Sequence, residues 1–102
     1  MQAFTTTTPL TPAELQQLLA AALPGSTVSV RDDTHLHADH NRDVNHHGGH
    51  YKVKIIWAGF AALTRVARHR TVQQAVSAAW AAGRIHALTL QLLTPSEAAK
   101  TR

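Results

Sequence analysis

Imidazole is the reactive group this sequence concentrates. His35, His37, His40, His46, His47 and His50 fall within sixteen residues, and His69 and His86 stand apart from them. Neutral imidazole ligates zinc, iron, copper and nickel, and a loop presents its nitrogens without fixed helical spacing. A His-rich tract is also only a compositional signal, met equally in a solvated polar loop that takes up zinc or nickel adventitiously. Cysteine is absent, so the chain itself offers no disulfide, thiolate nucleophile or thiolate ligand. Any metal bound by its side chains must use imidazole or carboxylate. His86 heads the apolar run Arg84-Ile85-His86-Ala87-Leu88, where a hydrogen-bonded structural histidine is the commoner occurrence. His69, between Arg68 and Arg70, suits capping of backbone carbonyls or contact with phosphate.

Nothing comparable supports catalysis. There is no Gly-rich phosphate loop, His-Glu-x-x-His helix or nucleophile elbow, and Asp39 or Asp43 beside a histidine is too generic to name a general base. The expectation is a protein that is not an enzyme. The net charge of +4 is unevenly spread: residues 1–50 carry two Lys/Arg against five Asp/Glu, and residues 51–102 carry eight against one. That basic half suits an acidic partner or nucleic acid, or serves solubility alone. A chain of 102 residues with 44% hydrophobic composition fits one compact domain. Its apolar runs fall far short of the ~20 residues that span a bilayer, and Met1 to Pro12 lacks a secretory h-region. A cytoplasmic location without membrane association is expected.

The elements that must position these groups follow from period and punctuation. Thr11, Pro12 and Glu14 open a helix whose apolar stripe is Leu15, Leu18, Leu19, Ala22 and Leu23. Pro24-Gly25 ends it, and Val28 and Val30 alternate with polar neighbours as a first strand up to Asp32-Asp33. Residues 34–49 show no period and form a connection long for a compact domain. Tyr51, Val53, Ile55 and Trp57 mark a second strand, which pairs with the first as a long-looped hairpin. Residues 64–82 read as helix, open to a break near Arg68 to Arg70, with Val72, Ala75, Val76, Ala79 and Trp80 facing the core. Leu88, Leu90 and Leu92 form a third strand, and Thr94-Pro95-Ser96-Glu97 a terminal helical turn. A helical crossover between the second and third strands permits parallel pairing. If those strands are neighbours, His50 and His86 flank the loop's histidines.

Taken in order, Asp32-Asp33-Thr34-His35-Leu36-His37-Ala38, Gly48-Gly49-His50-Tyr51, Arg68-His69-Arg70-Thr71-Val72 and Ile85-His86-Ala87-Leu88 resemble the BolA family. The resemblance runs from about Thr11 to Glu97. It implies an α+β, single-domain, KH-like (type II) αββαβ fold, with a three-stranded mixed sheet and helices on one face. On this reading residues 1–10 are a flexible N-terminal tail, 11–97 the BolA-like domain and 98–102 a C-terminal tail. The resemblance further implies a heterodimer with a monothiol glutaredoxin, sharing a [2Fe-2S] cluster for iron–sulfur assembly, trafficking or iron regulation. The partner brings a cysteine and glutathione. The family's ligands map onto His86 and a loop histidine, His37, with His40, His46, His47 and His50 as alternatives. No cofactor is expected to bind the isolated chain tightly, and that chain is expected to be a monomer or weak homodimer. Imidazole in place of thiolate lowers the cluster's negative charge, raises its potential and makes the ligation labile to acid. Lys52, Lys54, Arg65, Arg68, His69 and Arg70 become candidate contacts for a partner or DNA. A DNA-binding transcriptional regulator is the alternative function, although no Gly-x-x-Gly loop is present and aromatics for base stacking are few. One further alternative is a metal-storage or sensing module that uses the loop alone. Phe60-Ala61-Ala62-Leu63 departs from the family's glycine-containing turn after the second strand.

Overall fold

The computed structural model describes residues 8–33 and 49–100. Helix α1 (Pro12–Ala22) starts from a capping box: the Glu14 N–H donates to Thr11 Oγ1 at 3.0 Å, and the Thr11 N–H donates to Glu14 Oε1 at 2.8 Å. Two otherwise orphaned donors are thereby satisfied, with Pro12 preset for the first turn. Gly25, at φ 84°, makes the left-handed turn into the sheet that a side chain would resist. Strand β1 (Thr27–Asp32) runs antiparallel to β2 (Gly49–Ile56), and β2 runs parallel to β3 (Ile85–Leu93). The sheet order is β1-β2-β3, with β2 central. Between β2 and β3 lie a 3-10 helix (Ala58–Ala62), α2 (Arg65–Ala75) and α3 (Ser77–Ala81), and α4 (Pro95–Lys100) follows β3. This is the expected αββαβ order in a mixed three-stranded sheet.

Alternation along β2 decides which face is covered. Tyr51, Val53 and Ile55 are buried against Leu15 and Leu19 of α1, Val72 and Val76 around α2, and Phe60. Lys52 and Lys54 are exposed on the opposite, helix-free face. Phe60 is fully buried and meets the Trp57 ring edge-on, with centroids 5.1 Å apart. The 3-10 helix therefore anchors the turn after β2 with an aromatic side chain.

Several details depart from the sequence expectations. The long helix breaks at Val76, the boundary between α2 and α3, and runs unbroken through Arg68 to Arg70. Thr64 caps it, accepting from the Ala67 N–H at 3.1 Å, and the apolar side chains Val72 and Val76 hold its later turns in the core. Trp80 does not share their burial: at 44% exposure it lies outside the core, because the break at Val76 ends the stripe's phase. Trp57 follows β2 rather than belonging to it. Packing also begins earlier than Thr11. Leu10 is buried, and its N–H donates to the Arg84 carbonyl at 3.3 Å, so it belongs to the domain and not to a tail. At the other end α4 continues to Lys100.

Candidate metal centre

Parallel pairing brings the first residues of β2 and β3 to one end of the sheet, and there the His50 and His86 rings lie 4.8 Å apart, tilted by 37°. A bulge explains their approach. Gly49 pairs with Ile85 and His50 with Ala87, so His86 is the extra residue of β3. One extra residue reverses the in–out alternation and re-aims the side chain at that point. Ile85 consequently stays in the core in company with Leu92, while His86 is exposed. The sequence carries a trace of this: the core-facing residues run 85, 88, 90, 92, with one interval of three where a regular strand has two.

The roots of the loop are fixed beside the pair. The Asp33 N–H donates to the His50 carbonyl at 2.7 Å, and the Gly49 N–H donates to the Arg84 carbonyl at 3.4 Å. Arg84 is then a junction: its carbonyl also accepts from Leu10, its Nε donates to the Thr8 carbonyl at 3.0 Å, and its Nη2 lies 3.5 Å from Glu14. The Tyr51 hydroxyl donates to the Leu10 carbonyl, and burial, with Asp32 nearby, pushes its pKa up to about 12. Gly49 is required here, because a Cβ would meet Tyr51 Oη at 2.0 Å. The described part of the histidine end is thus held by backbone bonds, with Tyr51 as its inner wall.

Of the remaining candidate ligands, His35, His37, His40, His46 and His47 lie outside the described residues. Among the described residues no group of three or more metal-ligating side chains comes together. His69 is exposed on α2, with Nδ1 3.1 Å from the Arg65 carbonyl, the backbone-capping geometry that its position suggested.

The basic candidates separate into three environments. Lys52 and Lys54 occupy the open sheet face beside Arg31, Thr89 and Gln91. Arg65 and Arg70 are exposed on α2, which packs on the covered face. Arg68 is no surface contact: it is 8% exposed, and all three of its guanidinium nitrogens donate hydrogen bonds. Its Nε donates to the Phe60 and Leu63 carbonyls at 3.1 and 3.3 Å, and its Nη1 to the Leu92 carbonyl at 3.1 Å. Nη1 and Nη2 bind Glu97 in two-point fashion at 2.7 and 3.2 Å. Arg68 therefore ties the turn after β2 to the end of β3 and to α4. Sequence reasoning gave Glu97 no such role, and no local signal pairs residues so far apart. Its capping role was legible, because Thr94-Pro95-Ser96-Glu97 repeats the Thr-Pro-x-Glu pattern of Thr11 to Glu14 and forms the same reciprocal bonds.

The family model for BolA-like proteins matches residues 19–97. The chain belongs to the BolA family. A Sinorhizobium protein described as an uncharacterized protein in the cobS 5' region is 30% identical over 84 residues, covering 81% of this chain and 89% of that one. Arabidopsis thaliana BolA1 superposes with a TM-score of 0.68 at 29% identity, over 84% of this chain and 93% of that structure. A bol-like protein from Babesia bovis superposes with a TM-score of 0.71 at 24% identity, covering 91% and 95% of the two chains. The BolA match includes β2, the bulge and Ile85-His86-Ala87-Leu88, so the histidine end lies within the family domain. No described helix is long and apolar enough to cross a membrane.

Proposed function

We propose that this BolA-family chain acts without catalysis, as the partner of a monothiol glutaredoxin with which it shares a [2Fe-2S] cluster in iron–sulfur assembly, trafficking or iron regulation. The observation that carries the reading is His86, exposed on a β-bulge beside His50 at the end of the sheet where the histidine-rich segment is rooted. The donor set fits. Imidazole is an accepted ligand of [2Fe-2S] centres, and a heterodimeric site asks this chain for only some of the ligands, so two histidines suffice.

His86 is the ligand on the rigid element, and His37 the proposed ligand from the loop, four residues beyond Asp33 and thus tethered within about 14 Å of it. When bound, the cluster supplies one-electron chemistry at a potential raised by imidazole ligation. The chain's own residues orient and limit access. The bulge turns the His86 ring outward, Gly49 lets Tyr51 close the inner side, and the Asp33 to His50 bond holds the loop's two roots together. Because protons compete for imidazole nitrogen, release in mild acid should be easier than from an all-thiolate site.

The test is co-purification of the full chain with a monothiol glutaredoxin and glutathione, read by gel filtration, visible absorption and circular dichroism. A coloured heterodimer is expected, with an altered or lost cluster spectrum for His86→Ala and His37→Ala. An unchanged spectrum for His86→Ala would sink the ligand assignment; absence of a heterodimer would sink the partnership. The DNA-binding alternative loses support from Arg68, which is engaged in the interior, and from the separation of Lys52 and Lys54 from Arg65 and Arg70. DNA affinity that is sequence-selective and survives ~200 mM salt would revive it, since a phosphate-driven interaction weakens steeply there.

A further inference from the structure

The Arg68-His69-Arg70 motif enters the interior only through Arg68, and its surroundings form a second feature far from the histidine pair. The start of α2, the end of β3 and α4 border an open cleft of about 430 Å3. Leu93, half-buried, lines it together with Arg65, His69 and Lys100, and the buried Leu92 lies at its floor. Glu97 lines it as well, but its carboxylate is bound at two points by Arg68. Among the described residues, no ion pair engages Arg65 or Lys100. The result is a concave surface that joins apolar side chains to uncompensated positive charge supplied by two separate helices. From His86 to Leu92 the strand advances six residues, about 20 Å, so the cleft and the histidine pair are separate surfaces.

We propose that this cleft docks an acidic, leucine-bearing peptide segment of a protein partner, with carboxylates on Arg65 and Lys100 and an apolar side chain on Leu93. Charge complementarity selects the sign of the occupant, and the apolar side chain of Leu93 favours a peptide over nucleic acid. His69 is the one aromatic ring among the lining residues, and a single imidazole offers little for a run of stacked bases. The surface is independent of cluster binding, so either reading can fail alone.

The experiment uses the full chain, labelled with 15N, and three probes: a fluorescein-labelled peptide alternating glutamate and leucine, its lysine–leucine counterpart, and single-stranded oligo-dT. The acidic peptide should bind saturably and shift the amides of Arg65 to His69 and Leu92 to Lys100, with those flanking His86 unmoved. The lysine–leucine peptide should bind at least tenfold more weakly. The double substitution Arg65→Glu with Lys100→Glu changes exposed side chains and should keep the far-ultraviolet spectrum while losing at least tenfold in affinity. Absence of binding, shifts centred elsewhere, insensitivity to the double substitution, or tighter binding of oligo-dT at the same amides would overturn the proposal.

Discussion

At the start of β3, His86 stands exposed on a bulge with the His50 ring 4.8 Å away, whereas near its end Arg68 is buried and donates to three carbonyls and a carboxylate. Both ends carry polar side chains that belong to the motifs read in the sequence. They differ in where the hydrogen-bonding capacity is spent. A guanidinium has five donors in a fixed fork, and the interior here supplies matching acceptors, so Arg68 serves the fold. Exposed imidazole on an irregular strand contributes little to packing and stays accessible to a ligand. A polar residue in a family motif is thus a candidate for binding only after the interior's claims on it have been counted.

Arg68→Ala should have the largest effect on stability, because it removes at once the donor shared by the Phe60, Leu63 and Leu92 carbonyls and the Glu97 carboxylate. Loss of buried hydrogen bonds to a charged donor costs about 2–3 kcal/mol, and urea unfolding would read it; a cost below about 1 kcal/mol would abolish the distinction between the two ends. Gly49→Ala comes next and attacks the histidine end from within. The Tyr51 ring must move away from a new Cβ, an overpacking cost of about 1–3 kcal/mol. The His50 and His86 ring-proton resonances should shift with it, and unmoved resonances would show that Tyr51 does not support the pair.

Acid sharpens the contrast further. Hydrogen bonds from Arg68, aided by the Thr94 N–H, hold the Glu97 carboxyl down to about 2 against an ordinary 4.5. The unfolded chain binds the proton first, so this contribution is complete above about pH 4.5 and is lost progressively as the pH falls towards 2. Thermal melts of Glu97→Gln should show a flatter decline across that window than the parent chain; parallel curves would remove Glu97 from the account. The smallest effect on stability belongs to His86→Ala, expected within about 0.5 kcal/mol because the residue is exposed. A melting temperature that falls sharply would mark His86 as structural after all.

Much of the fold could be read from short stretches of sequence. Thr11, Pro12 and Glu14 announce α1, and Thr94 to Glu97 announces α4 by the same device. The alternations 51-53-55 and 88-90-92 identify the two paired strands and their covered face. The approach of His50 and His86 was legible only conditionally, through the parallel crossover, and the bulge only as an irregular interval after Ile85. The division of the basic residues was not legible, because charge composition does not say which face a residue occupies. Nor did composition distinguish Arg68 from Arg65 and Arg70, its exposed neighbours on one helix.

By itself, then, the sequence determined the main elements, their order and the covered faces of α1, β2 and β3, since caps, turns and periods depend on residues only a few positions apart. The tertiary structure decided which histidines meet, which arginine is interior and how far Leu10 belongs to the core. Those outcomes depend on contacts between distant segments, such as Arg68 with Glu97 across 29 residues and Tyr51 with Leu10 across 41, and no local pattern encodes a partner that only folding brings near.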